Sequence, residues 1–595
     1  MGPQHSHINS KEKVKNTKFA LKEFLKSVKP YSFSIIFSII LAIGSAVVGL
    51  FVPKLLGDMT NIAVASYNTG IDWPAISSKA ITVLILFLIS AALQYAQAFV
   101  LAVVSANYTK DVREKILTKI SKLPISYFDK HKYGDTLSRM TNDVDVLTTS
   151  MSQEIADVSL SLTILIGVTI MMFSLSVMLS LVAIVVVPLS VVVVGIITNF
   201  AQKFFREQQN TLGVLNSKIE EDYAGQIVIK SNSYEEQAKA SFDETNQKLA
   251  KAATKAQVFS SLSFPVTHVF TNLGYIAICI LGGMFVIDGT MNIGNVQAFI
   301  QYVSRFNRPI TEIASTTATI QQLLAASERV FEFLSEPEEE PDAEPALTIS
   351  NIHGAVEFHD VCFSYDKKTP IIRNFSVSVK PGMKVAIVGP TGAGKTTIIN
   401  LLMRFYEPDS GYISIDGTPI REMKRGDVRS MFGMVLQDTW LFSGTVEENL
   451  KYGKLNASLT EIKEAAKSSN VEHIIEALPK GYKTMISEDS DNISAGEKQL
   501  ITIARAMVAD PPMMILDEAT SNVDTRTEQL IQDSFEELTS KRTSFVIAHR
   551  LSTIRNSDLI LVMRDGSVVE QGNHEELLAA NGFYAELYNS QFAEG

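Results

Sequence analysis

Two hydrophobic patterns divide the chain. In the first half, apolar positions run on without a charge; in the second, short β-branched runs alternate with helical runs. A helix crossing a bilayer needs about 20 apolar residues. Tyr31–Pro53, Ala80–Asn107 and Ala256–Ile287 each reach that length uncharged. Val158–Gln202 has room for two such helices with a tight turn near Ser174–Ser176. Asn292–Thr317 is less apolar and holds Arg305, Arg308 and Glu312. It is read as a sixth span, because an odd number would put the following soluble domain on the wrong side. Its charges are read as the watery end of a long helix, with a substrate path as the alternative.

Lys and Arg set the orientation. They crowd the segment before Tyr31 and the long loops 108–154 and 203–255, whereas the opposite loops carry only Lys54 and Lys79. The N-terminal segment (1–30), both long loops and the C-terminal half are therefore expected in the cytoplasm. The loops read as helical extensions of the spans, with breaks at Tyr127–Arg139 and Glu221–Gln237. EPEEEPDAEP then stops regular structure. The expected organisation is a transmembrane domain over 31–335, an acidic Pro-rich linker over 336–346 and a soluble domain over 347–595.

Composition narrows the class. A 595-residue chain with 46% hydrophobic residues and a mean hydropathy of +0.14 fits a membrane part joined to a soluble part. A net charge of −11 argues against a nucleic-acid partner. Cys279 and Cys362 are the only cysteines, which excludes a disulfide framework and a cysteine-rich zinc site.

The soluble half carries phosphate chemistry. GPTGAGKTT (Gly389–Thr397) follows the apolar run Lys384–Val388 and opens IINLLMRF. Strand, glycine-rich loop and helix in that order make a P-loop. Its glycines turn backbone N–H groups inward around a polyphosphate, at the positive end of a helix. Gly389, Pro390, Thr391, Gly392, Ala393 and Gly394 form the loop. Lys395 reaches the β/γ-phosphates, and Thr396 offers a hydroxyl to Mg²⁺. MMILDE places Asp517 and Glu518 at a strand end: Asp517 to hold Mg²⁺ through water, Glu518 to polarise the attacking water. VIAHR places His549 at another strand end, within reach of a γ-phosphate. Gln437 after MFGMVLQ is a candidate Mg²⁺ ligand or water-orienting group, and Tyr365 in VCFSYD a candidate nucleobase platform.

Taken together these stretches resemble an ATP-binding cassette (ABC) exporter half-transporter along nearly the whole chain. The resemblance implies a helical six-span transmembrane domain plus an α/β P-loop nucleotide-binding domain, with ATP and Mg²⁺. It also implies an A-loop at Tyr365, a Walker A motif at Gly389–Thr396, a Q-loop at Gln437 and Walker B at Met513–Asp517. The catalytic residue is then Glu518, the D-loop SNVD ends at Asp524, and the switch histidine is His549. The breaks near Gly134 and Tyr223–Gln226 match coupling helices. ISAGEKQ sits where the family has LSGGQRQ: Ser494 and Gly496 match, Ala495 and Glu497 do not. In the family this signature faces the partner chain's ATP. The altered loop therefore points to a heterodimer, resembling bacterial multidrug exporters with one hydrolytic and one degenerate site. The partner expected is a second half-transporter with an intact signature and a Walker B not ending in Glu. The implied activity is ATP-driven export of small amphipathic compounds across the bacterial cytoplasmic membrane. A lipid or peptide exporter, a homodimer and a non-transporting sensor are the alternatives.

Overall fold

The computed structural model describes residues 16–68, 70–349, 351–437, 439–488, 493–517, 525–548 and 551–592. It divides into two compact units: Met1–Lys122 with His131–Pro337, and Leu123–Lys130 with Glu338–Gly595.

The first unit is helical. A short helix α1 (Thr17–Val28) leads through a 3₁₀ turn to α2 (Ser32–Leu50), α3 (Val52–Ala65) and the long α4 (Trp73–Lys122). After α5 (Ile125–Lys130), which belongs to the second unit, come α6 (Tyr133–Ser138), α7 (Val144–Thr149) and α8 (Ile155–Leu175). The helices α9 (Val177–Ala224), α10 (Gln226–Ser231), α11 (Glu235–Ile287) and α12 (Ile293–Ser335) follow. The expected turn after Ser174 is present: Ser176 is extended and caps α9 through a bond from Leu179 N–H. α12 packs on α3 and α8, α2 packs on α4 and α8, and α9 runs chiefly along α11. Leu50, Val168, Met172, Leu179, Phe299 and Tyr302 form part of the core. Many large apolar side chains face outward instead, among them Leu84, Leu88, Val185, Val192 and Ile280. Such a surface belongs in lipid, where helices satisfy their own backbone groups.

Among the described residues, four helical stretches are long and apolar enough to cross a membrane: Thr17–Ala65, Trp73–Lys122, Tyr133–Leu175 and His268–Ile287. Six were expected; the fourth and sixth fall on α9 and α12, where several side chains lie outside the description.

The first expected span is broken at Phe51, and proline explains why. Pro53 has no N–H, so it cannot bond the Gly49 carbonyl four residues back. Arg305 Nη1 donates to that carbonyl at 2.9 Å. Tyr302 Oη donates to the next one, Leu50 O, at 2.6 Å. The half-buried Arg305 is thus a donor for broken backbone, rather than a charge at a watery helix end. Glu312 accepts from Ser161 Oγ at 2.7 Å; the Arg308 side chain lies outside the description. Further along, Gly57 of α3 and Gly294 of α12 touch backbone to backbone. A Cβ on Gly294 would lie 1.8 Å from the Gly57 oxygen. Near the end of α12, Arg329 holds the buried Asp143 with two N–H donors, Nε at 2.9 Å.

The second unit is α/β. One sheet is antiparallel: β1 (Val356–Phe363), β2 (Ile372–Val379), β4 (Ser410–Ile415) and β5 (Thr418–Pro419), in the order β2-β1-β4-β5. The other contains β3 (Lys384–Val388), β6 (Phe432–Val435), β9 (Met513–Asp517), β10 (Thr543–Ile547), β11 (Leu559–Arg564) and β12 (Ser567–Gly572). Its order is β12-β11-β3-β10-β9-β6, parallel except for β12. The short pair β7 (Gly444–Thr445) and β8 (Met485–Ile486) stands apart. β3, β9 and β10 are buried almost throughout, which is why they read as unbroken apolar runs. The acidic segment is fastened to this unit by arginines: Arg425 Nη1 to Asp342 at 2.9 Å and Arg429 Nη2 to Glu339 at 3.0 Å.

Candidate phosphate-binding site

Parallel strands in register bring distant residues to one edge. Ile547 of β10 lies beside Ile387 of β3 and beside Asp517 of β9. Val435 of β6 lies beside Leu516. The carboxyl ends of four strands therefore share one rim, where open α/β sheets bind ligands. The glycine loop leaves β3 at Val388, Asp517 ends β9, and Gln437 comes two residues after β6. These are the groups that sequence reasoning linked to one nucleotide. Glu518, Asp524 and His549 lie outside the described residues.

The loop has the expected shape. Gly392 and Gly394 have φ of 84° and 99°, left-handed values that favour glycine. From Gly394 the helix α13 (Lys395–Leu402) begins, its first N–H groups directed at the loop. Lys395 Nζ donates to the loop carbonyls of Gly389 (2.7 Å) and Pro390 (3.1 Å). Burial pushes the Lys395 pKa down, and the Asp517 carboxylate pulls it back up. The ammonium is thus held in a polar ring that a polyphosphate can take over. Thr391, Gly392 and Thr396 are exposed, whereas Ala393 and Thr397 are buried. A loop open on its glycine side, with a lysine inside and a carboxylate across the rim, fits a triphosphate with a divalent cation. A cavity beside it is lined by Gly389, Pro390, Thr391, Lys395, Tyr584 and Tyr588.

Tyr365 stands against the start of α13. Its hydroxyl donates to Thr397 Oγ1 and accepts from Asn400 Nδ2, both at 3.2 Å. Tyr406 meets its ring edge-on at 5.0 Å. Tyr406 in turn donates to Asp129 of α5. Sequence reasoning missed Asn400, Tyr406 and Asp129, because nothing in the chain pattern joins them.

The stretch around Ser494 begins the helix Ala495–Ala509. Ser494 N–H donates to Glu497 Oε2 at 2.7 Å, and Glu497 N–H donates back to Ser494 Oγ at 3.4 Å. This is a capping box. Ser494 is exposed and Gly496 buried. One turn from the end of that helix, Arg505 donates to Asn449 O (3.0 Å) and Trp440 O (3.1 Å). It thereby ties the helix to the segment after Gln437. An arginine in LITIARAMV was the available signal for it.

Comparison with known proteins agrees with both units. The ABC transporter transmembrane region matches residues 35–310, and the ABC transporter domain matches residues 372–521. A Mycobacterium bovis protein named as a fatty acid ABC transporter ATP-binding/permease protein is 44% identical, covering 92% of this chain and 93% of its own. A Bacillus subtilis protein whose name assigns it provisionally to multidrug export is 35% identical, covering 96% of this chain and 99% of its own. An ATP-dependent lipid A-core flippase of Syntrophus aciditrophicus is 34% identical, covering 81% of this chain and 80% of its own. Nucleotide domains of this kind hydrolyse ATP and use Mg²⁺. With a phosphate loop on one unit and an apolar helical surface on the other, the chain belongs to the ABC transporters, as a membrane-embedded exporter half-transporter with an ATPase domain.

Proposed function

We propose that the chain exports amphipathic compounds, drug-like or lipid-like, from the cytoplasmic side of a bacterial membrane, driven by ATP. The observation that carries this reading is the shared rim of phosphate loop, Gln437 and Asp517 in a chain whose other unit exposes apolar helices. The proposed arrangement has six spans over 31–335, a linker over 336–346 and a nucleotide domain over 347–595. The Lys- and Arg-rich loops lie in the cytoplasm.

In the proposed reaction Tyr365 carries the adenine and the Gly389–Gly394 backbone holds the phosphates. Lys395 leaves the carbonyls of Gly389 and Pro390 for the β/γ-phosphates. Thr396, Gln437 and, through water, Asp517 would hold Mg²⁺, which would supply positive charge beside the phosphates. Glu518 takes a proton from the attacking water, and His549 orients that water and the γ-phosphate. Binding and release of ATP bias an inward–outward equilibrium of the spans.

Ala495 and Glu497 assign a second chain to the working exporter. A carboxylate facing the partner's triphosphate opposes the charge that site must stabilise, and Ala495 adds a Cβ where the family has glycine. The proposed assembly is a heterodimer in which the partner's intact signature completes the site of this chain's phosphate loop, Glu518 and His549, while Ser494 and Gly496 of this chain face the partner's ATP, with the D-loop Asp524 beside the nucleotide. A homodimer is the second reading. The capping box favours it, because Glu497 is turned onto its own helix rather than outward.

The test is transport-coupled ATPase activity of the purified chain, alone and with its candidate partner, in liposomes loaded with an amphipathic dye. The heterodimer reading expects efflux from the pair only, abolished by Glu518→Gln in this chain. Full efflux by the lone chain assigns the homodimer. Efflux unaffected by Glu518→Gln overturns the export mechanism.

A further inference from the structure

Helix α1 has three faces. At about 100° per residue, Ala20, Phe24 and Val28 fall together, and all are buried. Next round the helix come Leu21 and Leu25, 47% and 58% exposed. Opposite the buried face come Lys18 and Lys22, continued by Lys29 just past the helix end, all exposed. Lys26 pairs with Glu23 at 3.5 Å, but among the described residues Lys18, Lys22 and Lys29 have no carboxylate partner.

Position decides what this surface meets. One 3₁₀ turn, Lys29–Tyr31, separates α1 from α2, whose nineteen residues carry no charge. Phe33 at the start of α2 is 81% exposed. α1 therefore sits where an apolar span enters water. At 12 residues it is too short to cross a bilayer, and it is rich in lysine. Exposed leucines beside unpaired lysines at that level match a helix lying in the interface, leucines in the acyl boundary and ammonium groups at the headgroups.

The inner face is wired to the longer helices. Asn16 N–H donates to Glu328 at 2.6 Å, and Ser327 Oγ donates to Ala20 O at 3.0 Å, both on α12. On α4, Tyr108 Oη lies 3.0 Å from Ser27 Oγ, and Asp111 accepts from Tyr31 Oη at 2.6 Å. The first unit ends at Pro337, just past α12.

We infer that α1 is a binding surface for anionic phospholipid headgroups, and that its occupancy sets how firmly α1 holds α4 and the last turns of α12. A juxtamembrane lysine contributes about fivefold to binding an anionic surface. Three unpaired lysines thus give a strong preference for anionic over zwitterionic lipid, whatever compound is exported.

The full-length protein carrying Leu21→Trp, in nanodiscs with brominated phosphatidylglycerol or brominated phosphatidylcholine, tests this. Expected is stronger quenching by the anionic lipid, with a relative affinity at least tenfold higher. Lys18→Gln/Lys22→Gln/Lys29→Gln removes that preference, and the matching Lys→Arg triple keeps it. ATPase activity of the wild type changes at least twofold between the two lipids, and the Gln triple levels the difference. Equal quenching by both lipids, or a Gln triple that keeps its lipid-dependent ATPase activity, overturns the inference. Loss of preference in the Arg triple as well assigns the effect to folding and equally overturns it.

Discussion

Glu497 shows how one side chain can be read two ways. In the sequence it is a charge where a triphosphate should be met. In the structure its carboxylate accepts the N–H of Ser494 and closes the first turn of its own helix. Ser494→Ala should cost about 1 kcal/mol locally. Hydrogen exchange should quicken in the first turn of Ala495–Ala509 and not at its far end. Tyr365 offers a second test at this scale. Its hydroxyl bonds Thr397, while its ring is the group proposed to meet adenine. Stacking is worth about 1–3 kcal/mol per base. Tyr365→Ala should therefore raise the KM for ATP at least about fivefold, and Tyr365→Phe should leave it nearly unchanged. His574 gives a pH test. Its Nδ1 lies 2.7 Å from Tyr584 Oη. Burial and the nearby Arg555 push its pKa down, with Glu575 opposing. The folded state thus favours the neutral ring. That contribution is full above the unfolded value of about 6.5 and is lost as pH falls through the lower folded value. Thermal melts between about pH 7 and pH 5 should lose stability more steeply in the wild type than in His574→Gln.

At the scale of elements, helices were legible as uncharged runs, but where they break and touch was less so. Pro53 is visible in the sequence; that Arg305 serves the Gly49 carbonyl it orphans, and Tyr302 the next one, is not, since some 250 residues separate the partners. The same holds for Gly57 and Gly294, two glycines among 32. A Cβ on Gly294 meets backbone at 1.8 Å, whereas nothing lies within 4 Å of one on Gly283. Overpacking of this kind costs about 1–3 kcal/mol. Gly294→Ala should lower the Tm of the detergent-purified protein, and Gly283→Ala should not. The nucleotide domain was easier to read. Buried parallel strands have few polar interruptions, so Lys384–Val388, Met513–Asp517 and Thr543–Ile547 stand out as β3, β9 and β10. Their common register, which gathers the site at one rim, is a property of pairing and is absent from any single strand.

For the whole molecule, α5 is the informative piece. It leaves the end of α4 and returns to α6, both of the first unit, yet it belongs to the second. Asp129 on α5 accepts from Tyr406, and Tyr406 abuts Tyr365. Asp129→Asn should leave ATP binding intact and reduce stimulation of ATPase activity by an amphipathic dye severalfold, measured in liposomes. Equal stimulation would show that this link carries no coupling. The chain pattern by itself determined that there is an apolar helical half, an acidic junction and a phosphate-binding half, because length without charge and a glycine loop between strand and helix are local properties. The tertiary structure decided which carbonyl Arg305 serves and which residues surround Tyr365. Those depend on groups far apart in sequence, and only packing brings them within bonding distance.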